Sequence, residues 1–232
     1  MPRLKQCLSY NISVEGEVCE KLYFEHLARL INECGKATYK VSFFVKKKNP
    51  ASFYKSRVNT YAKKKKAKKG DGYITYFHVQ DLESFQTHNE VFRNLLNEID
   101  TLKNQFGIEY DLGYTNYSFD LWIAIHKKDM RKSVSHRSKY YLDINDAYGT
   151  NYQHMDDYKS VEEFTKILEK ITLHDVIVAV KRGEAIRLAH ENSGDHKEIW
   201  KGFVYYRDNP DMTLHQIVKD ILIQTGCWNA CE

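Results

Sequence analysis

Val14-Glu15-Gly16-Glu17-Val18-Cys19-Glu20 decides the fold, because a short apolar run ends there in acids and passes directly into a helix. Upstream, residues 8–14 alternate loosely and read as a strand. Downstream, Tyr23, Leu27, Leu30, Ile31 and Cys34 fall on one helical face. Gly16 stands at the hinge, where a tight turn or the close approach of a ligand needs a residue without a Cβ. The acids therefore gather at the carboxyl end of a strand, the place where open α/β sheets bind ligands. Glu17 and Glu20 are equally explained as first-turn acids favouring the positive end of a helix dipole. Glu15 precedes the helix and escapes that explanation.

Working outward, residues 38–45 are β-branched and aromatic and read as a second strand. Asn49-Pro50 offers a cap followed by proline at the first helical position, opening a helix towards Lys66 with Phe53, Val58 and Tyr61 as its apolar anchors. Gly70-Asp71-Gly72 ends it in a turn, and residues 73–79 are a third strand. Thr87 with Glu90 makes a capping box for a helix carrying Phe92, Leu95, Leu96, Ile99 and Leu102, which stops near Gly107. Residues 108–114 are a fourth strand, and residues 119–126 begin a further helix or half-buried turn. This order predicts an α/β fold, a mostly parallel four-stranded sheet with helices on both faces, over residues 1–129.

Residues 130–232 read as a helical appendage packed on that core in one compact unit. Residues 140–158 are polar and aromatic without a clear period. Ser160 with Glu163 caps a short helix over Phe164, Ile167 and Leu168. Residues 175–190 form a longer helix burying Ile177, Val180, Ala185 and Leu188. Residues 207–210 make a turn, and Thr213 with Gln216 caps a last helix containing Leu214, Ile217, Val218 and Ile221.

The 232 residues suffice for a real core, and the formal charge of +4 is unevenly spread, with much of the excess between Lys46 and Lys69. Such a segment suits a polyanion better than a small acidic metabolite. The five cysteines include no Cys-x-x-Cys pair and read as scattered reduced thiols, although Cys227, Cys231 and His215 have a weak zinc-like spacing. No apolar run has the length of a membrane span and no leader-like segment opens the chain, so a soluble, cytoplasmic protein is expected.

Strands one and three both deliver acids at their carboxyl ends, Glu15 on one and Asp81 and Glu83 on the other. In a parallel sheet those ends share an edge. If the chain stays extended, Asp81 and Glu83, two residues apart, point the same way. Three carboxylates on one spot repel each other and call for a cation, and their hard oxygens suit Mg²⁺ or Mn²⁺. The chemistry implied is phosphodiester hydrolysis or transfer, with Glu15 alternatively a general base or acid. The competing reading of Asp81 and Glu83 is a polar loop that caps the next helix.

These residues carry a resemblance. Val14-Glu15-Gly16-Glu17-Val18-Cys19-Glu20-Lys21-Leu22-Tyr23-Phe24, then Asp81-Leu82-Glu83, then Asn116-Tyr117-Ser118-Phe119-Asp120-Leu121-Trp122 with His126 after it, and finally Asn209-Pro210-Asp211-Met212-Thr213-Leu214-His215 occur in this order. The chain thereby resembles the RloB-like abortive-infection family, whose members look like Toprim-type nucleases and often sit beside an ABC-type ATPase in phage-defence operons. The resemblance implies a Toprim-like sheet, a divalent metal, and Glu15, Asp81 and Glu83 as core acids. Glu20, Ser118, Asp120 and His126 stand as candidates to support those acids from behind, and a structured RNA such as a tRNA as an attractive substrate. Three departures from the pattern are Glu83 for an aspartate, Cys19 for a threonine, and the missing Asn-Pro before Phe119.

Lys46, Lys47 and Lys48, then Lys63, Lys64, Lys65, Lys66, Lys68 and Lys69, flank a helix interleaved with Phe53, Tyr54 and Tyr61. That pattern would draw a phosphate backbone and stack unpaired bases, of RNA or DNA alike, or else form a solvated lysine face or dock an acidic protein. His126 reads either as a proton carrier at the site or, more often for such a position, as a hydrogen-bonded core histidine. Lys181, Arg182 and Arg187 are weaker candidates for charge stabilisation on a phosphate. A catalytically degenerate adaptor binding a partner ATPase or nucleic acid is the alternative to a nuclease, and the oligomeric state, a homodimer included, is left open.

Overall fold

β1 (Cys7–Val14) lies in the interior of the sheet, and its alternation sorts the two faces. Tyr10, Ile12 and Val14 are buried on one side, and Asn11 and Ser13 are buried on the other. The computed structural model describes residues 6–64 and 74–229, with side chains omitted at 59–64 and 74. After β1 come α1 (Cys19–Glu33), β2 (Lys40–Lys47), α2 (Pro50–Lys64), β3 (Ile74–Asp81), α3 (Phe85–Phe106) and β4 (Tyr110–Asn116). The strands order as β2-β1-β3-β4-β7, parallel except for the antiparallel edge pair β4 with β7 (Asp211–Met212). Because β2 and β3 lie on opposite sides of β1, the winding reverses at β1, and a crevice opens at the carboxyl ends of β1 and β3.

Helices cover both faces, as expected. Tyr10, Ile12, Val14, Phe77 and Val79 pack against α1 residues Tyr23, Phe24, Leu27 and Ile31 in an apolar cluster that reaches Leu214 and Cys227. On the opposite face Phe53 of α2 and Leu102 of α3 meet Tyr76 and Tyr110. The sheet has five strands, not four, because the segment after residue 130 contributes β7 as well as a hairpin, β5 (Lys197–Trp200) with β6 (Phe203–Tyr206). That segment is therefore not purely helical. It also carries α5 (Tyr140–Tyr148), α6 (Val161–Leu168), α7 (Leu173–Ser193) and α8 (Leu214–Gln224), after the short buried α4 (Asp120–Ala124). Among the described residues no helix is long and apolar enough to cross a membrane.

Several local expectations shift for identifiable reasons. α3 begins at Phe85, ahead of the Thr87/Glu90 pattern, and the Thr87 hydroxyl bonds His88 Nδ1 at 2.7 Å instead of capping. α5 is missed by the sequence pattern because its buried face, Tyr140, Ile144 and Tyr148, is built largely of tyrosine. Their hydroxyls are satisfied in the core, with Tyr148 donating to the Ile123 carbonyl at 2.7 Å. α7 starts earlier than expected, on a capping box of Thr172 and Asp175. Its inward face is Val176, Val180, Gly183 and Ile186, whereas Ala185 and Leu188 are exposed. Thr213 does not cap α8: its hydroxyl donates to the Leu112 carbonyl at 2.7 Å and accepts from Tyr114 N at 3.1 Å, tying the helix to β4. Val58 is exposed, so Phe53 carries the anchoring of α2, and Tyr61 and the 70–72 turn lie outside the described side chains.

α7 and α8 cross at Gly183, where an added Cβ would stand 2.7 Å from both Cβ and Cγ of His215. Glycine to alanine inside a helix ordinarily stabilises by up to about 1 kcal/mol. Here Gly183→Ala is expected to destabilise instead, by about 1–3 kcal/mol, through overpacking against a backbone-proximal atom. Denaturant midpoints of the two proteins check the sign.

Candidate functional site

The β1–β3 register sets the site. Val14 pairs with Val79, and Glu15 N donates to the Val79 carbonyl at 3.2 Å, so the chain leaves β1 beside the end of β3. Glu15 then turns its carboxylate across the crevice, accepting from Asp81 N at 3.1 Å and from the Gln80 side-chain amide. Asp81 accepts from the Thr115 hydroxyl at 2.9 Å, a contact that follows from the pairing of Asp81 with Thr115 between β3 and β4. Glu20, buried in the first turn of α1, accepts from Gly16 N at 3.2 Å. A Cβ on Gly16 would run into that carboxylate, so close approach is the reason for the glycine. Asp120, at the start of α4, is buried and accepts from the Ser118 hydroxyl at 2.9 Å, with the Lys159 ammonium 3.2 Å away. Glu15, Glu20, Asp81, Asp120, Cys19 and Lys159 line one pocket of about 300 Å³.

The carboxylates pay electrostatically for this crowding. Burial first, then Glu20 and Glu15, push Asp81 well above the usual carboxylate range, and Thr115 only partly opposes the shift. Glu20 is raised by burial, with Glu15 and Asp120 adding to it against the Gly16 N–H. Glu15 is raised by desolvation on its protein-facing side and by Glu83, against the Asp81 N–H. Burial pushes the Cys19 thiol up, and Glu20 and Asp120 push it further, so it is not a thiolate nucleophile. Burial works against the charge of Lys159, yet Asp120 holds its ammonium protonated above the ordinary lysine range.

Of the three expected core acids, Glu15 and Asp81 meet and Glu83 turns aside. The chain does not stay extended: Glu83 adopts φ +55°, which breaks the alternation assumed for Asp81 and Glu83. Its carboxylate pairs with Arg137 and, at 2.7 Å, with His88 Nε2. Among the described residues no three His, Cys, Asp or Glu side chains are gathered into a set that would hold a metal ion unaided. The donor chemistry is nonetheless that of a hard cation. Glu83 and Asp120 have cationic partners, whereas Glu15, Glu20 and Asp81 are met only by neutral N–H and O–H donors in the contacts above. Mg²⁺ keeps most of its waters and is commonly bound through one or two carboxylates, so Glu15 and Asp81 fit it without a preformed cage.

Glu20 and Asp120 line the pocket, Ser118 reaches it only through its bond to Asp120, and His126 is not there. His126 Nδ1 donates to the Trp122 carbonyl at 2.7 Å, and Tyr23 lies 3.3 Å from Nε2, deep in the core. Burial lowers its pKa to about 4, so it is a neutral core histidine. Arg182 binds the Ile125 carbonyl and Arg187 the buried Asp211, each away from the acids. The side chains of Lys63 and Lys64, all of Lys65, Lys66, Lys68 and Lys69, and Cys231 lie outside the described residues.

Gln80, Thr115, Lys159, Arg137 and His88 were not legible as site residues. Only Gln80, adjacent to Asp81, carried a positional hint. Lys47 and Lys48, from the end of β2, line a second shallow pocket that also contains Glu15.

No curated protein and no solved structure matches the chain. A family profile described as RloB-like protein matches residues 10–221, from β1 into α8, and so takes in every acid of the pocket and Lys159. With most of its length covered by that match, the chain belongs to the RloB-like protein family.

Proposed function

We propose that this protein is a divalent-cation-dependent nuclease with a Toprim-like sheet, an effector of abortive infection that hydrolyses phosphodiester bonds. The observation that carries the reading is the charge arrangement at the β1–β3 crevice. Glu15, Glu20 and Asp81 crowd together without a cationic partner at the centre, while Lys47, Lys48, Lys159 and Arg137 stand around them. Cations at the rim attract a polyanion, and uncompensated carboxylates at the centre attract a metal that the phosphate then shares. Bound at Glu15 and Asp81, Mg²⁺ or Mn²⁺ would supply Lewis-acid polarisation of a phosphoryl oxygen and a more acidic water. Glu15 is the more solvent-open of the two acids and is the proton acceptor for the attacking water or hydroxyl. Lys159, held by Asp120 beside the pocket, is placed to meet a non-bridging phosphate oxygen. Family resemblance points to RNA, tRNA first, and to an accompanying ABC-type ATPase as the partner.

The diversion of Glu83 to Arg137 and His88 favours a second reading, an adaptor that binds nucleic acid or an ATPase without cutting. The assay that separates the two follows RNA and DNA cleavage in Mg²⁺ or Mn²⁺, with and without the ATPase. Glu15→Gln and Asp81→Asn are each expected to lower cleavage at least about 100-fold while the fold is retained, and chelation abolishes it. Cleavage that survives Glu15→Gln rules out this site. Binding without turnover in every condition establishes the adaptor.

Neutralising Lys47 and Lys48 together is expected to weaken RNA binding in chelator and to flatten the salt dependence by about 1.4 log units per log unit of salt, the sum of two phosphate contacts on a single strand. Titrations at several salt concentrations measure this. The crowding also predicts a stability signature. Glu20 has a folded-state pKa raised above its ordinary value of 4.5, so its ionisation opposes folding as pH rises through and above that value. Glu20→Gln, which keeps an oxygen for Gly16 N, is therefore expected to raise Tm at pH 8 and to leave it unchanged near pH 4.

A further inference from the structure

The face of the sheet beneath α2 and α3 ought to be apolar, yet a line of polar groups runs through it. Ser13 and His78 are cross-strand partners in the β1–β3 register, both fully buried, with the Tyr110 hydroxyl next to them. Tyr110 Oη lies 2.6 Å from Ser13 Oγ, Ser13 Oγ lies 2.8 Å from His78 Nδ1, and His78 Nε2 lies 3.0 Å from Gln80 Oε1. The Gln80 amide nitrogen then meets the Glu15 carboxylate, and also the Asp81 carbonyl at 3.2 Å.

The direction of every bond follows from its last acceptor. Carboxylate and carbonyl oxygens only accept, so both hydrogens of the Gln80 amide are spent on Glu15 and Asp81, and Gln80 Oε1 must face His78. His78 Nε2 therefore donates. Burial lowers the imidazole pKa to about 4, so it is neutral and carries one N–H, which leaves Nδ1 as an acceptor. Ser13 gives its proton to Nδ1 and is free to accept only from Tyr110. Each donor in the series points towards Glu15, and such aligned chains polarise one another.

We propose that Tyr110, Ser13, His78 and Gln80 form a one-way hydrogen-bond relay that fixes the orientation of the Glu15 carboxylate, making them positioning residues for the site. The proposal rests on the reading of Glu15 as the reacting acid. A set of polar groups that merely satisfied one another in the core would be indifferent to what stands at position 15. A relay is not, because a lysine at position 15 presents only a donor to Gln80 and draws its amide oxygen round, removing the acceptor that His78 Nε2 requires.

The test has two arms on the full-length protein. ¹⁵N spectra of the histidine side chains, assigned by loss of the His78 signal in His78→Phe, are expected to show a single Nε2–H tautomer in wild type at pH 7. Glu15→Lys, a change two hydrogen bonds away that leaves Gln80 no acceptor at position 15, is expected to mix the tautomers. A wild-type Nδ1–H tautomer, or a spectrum unmoved by Glu15→Lys, overturns the relay without reference to turnover. In the kinetic arm, Gln80→Ala and Ser13→Ala are expected to lower kcat about 10- to 100-fold with KM unchanged, Ser13→Thr to restore the rate, and the isosteric Tyr110→Phe to lower it less. If Glu15→Gln is inactive while Gln80→Ala and Ser13→Ala keep wild-type kcat, the relay fails alone. If Glu15→Gln is as active as wild type, the nuclease reading fails instead, whatever the spectra show.

Discussion

Parallel pairing of β1 with β3 is the constraint from which the site follows. It sets Val14 against Val79, brings the Glu15 and Asp81 backbones to one edge, and lets Asp81 N hold the Glu15 carboxylate. Shift that register by one residue and every side chain on β3 changes face. Asp81 would leave the crevice, and His78 would lose Ser13. The apolar side chains that lock the register, Ile12 and Val14 with Phe77 and Val79, alternate with the polar ones that use it. Core packing and site geometry are thus two faces of the same pair of strands.

The placement of Glu15 and Asp81 was legible because it needs only element order. Strands ending in acids, joined by helices, bring those acids to one edge of a parallel sheet whatever the details between them. Glu83 was not legible. Its position depends on a left-handed backbone in a residue that carries a Cβ, and no local signal announces such a conformation. Lys159 was hidden for a different reason. It lies after α5, whose buried face of Tyr140 and Tyr148 imitates a polar surface until their hydroxyls find carbonyls in the core. β7 is two residues long and β5 and β6 four each, too short for a period-two pattern to stand out.

The electrostatics separate two populations of acids that look alike in sequence. Asp120 is buried but has Lys159 and Ser118, and Glu83 has Arg137 and His88. Burying a charge is tolerated when it is paired and hydrogen-bonded. Glu15, Glu20 and Asp81 have hydrogen-bond donors without a counter-charge, and their raised pKa values register the deficit. A protein selected for stability alone would gain by replacing one of them. Perturbed carboxylates clustered in a crevice, with a cationic partner supplied to each peripheral acid, are the pattern of a site that reserves its charge for a ligand.

Glu20 and Gly16 show how tightly that reserve is built. The glycine permits the carboxylate to lie against the backbone that follows Glu15, and the Gly16 N–H then holds it there. Glu20 is thereby kept close to Asp81, which it raises, and to Glu15, which raises it, instead of swinging out along α1 to a solvated position open to an ordinary first-turn glutamate. Helix-dipole stabilisation alone requires neither burial of the carboxylate nor a glycine. The close contact between residues 16 and 20 therefore makes sense as a device for concentrating negative charge at the crevice, and the same logic places the neutral donors of Gln80 and Thr115, rather than a lysine, against Glu15 and Asp81.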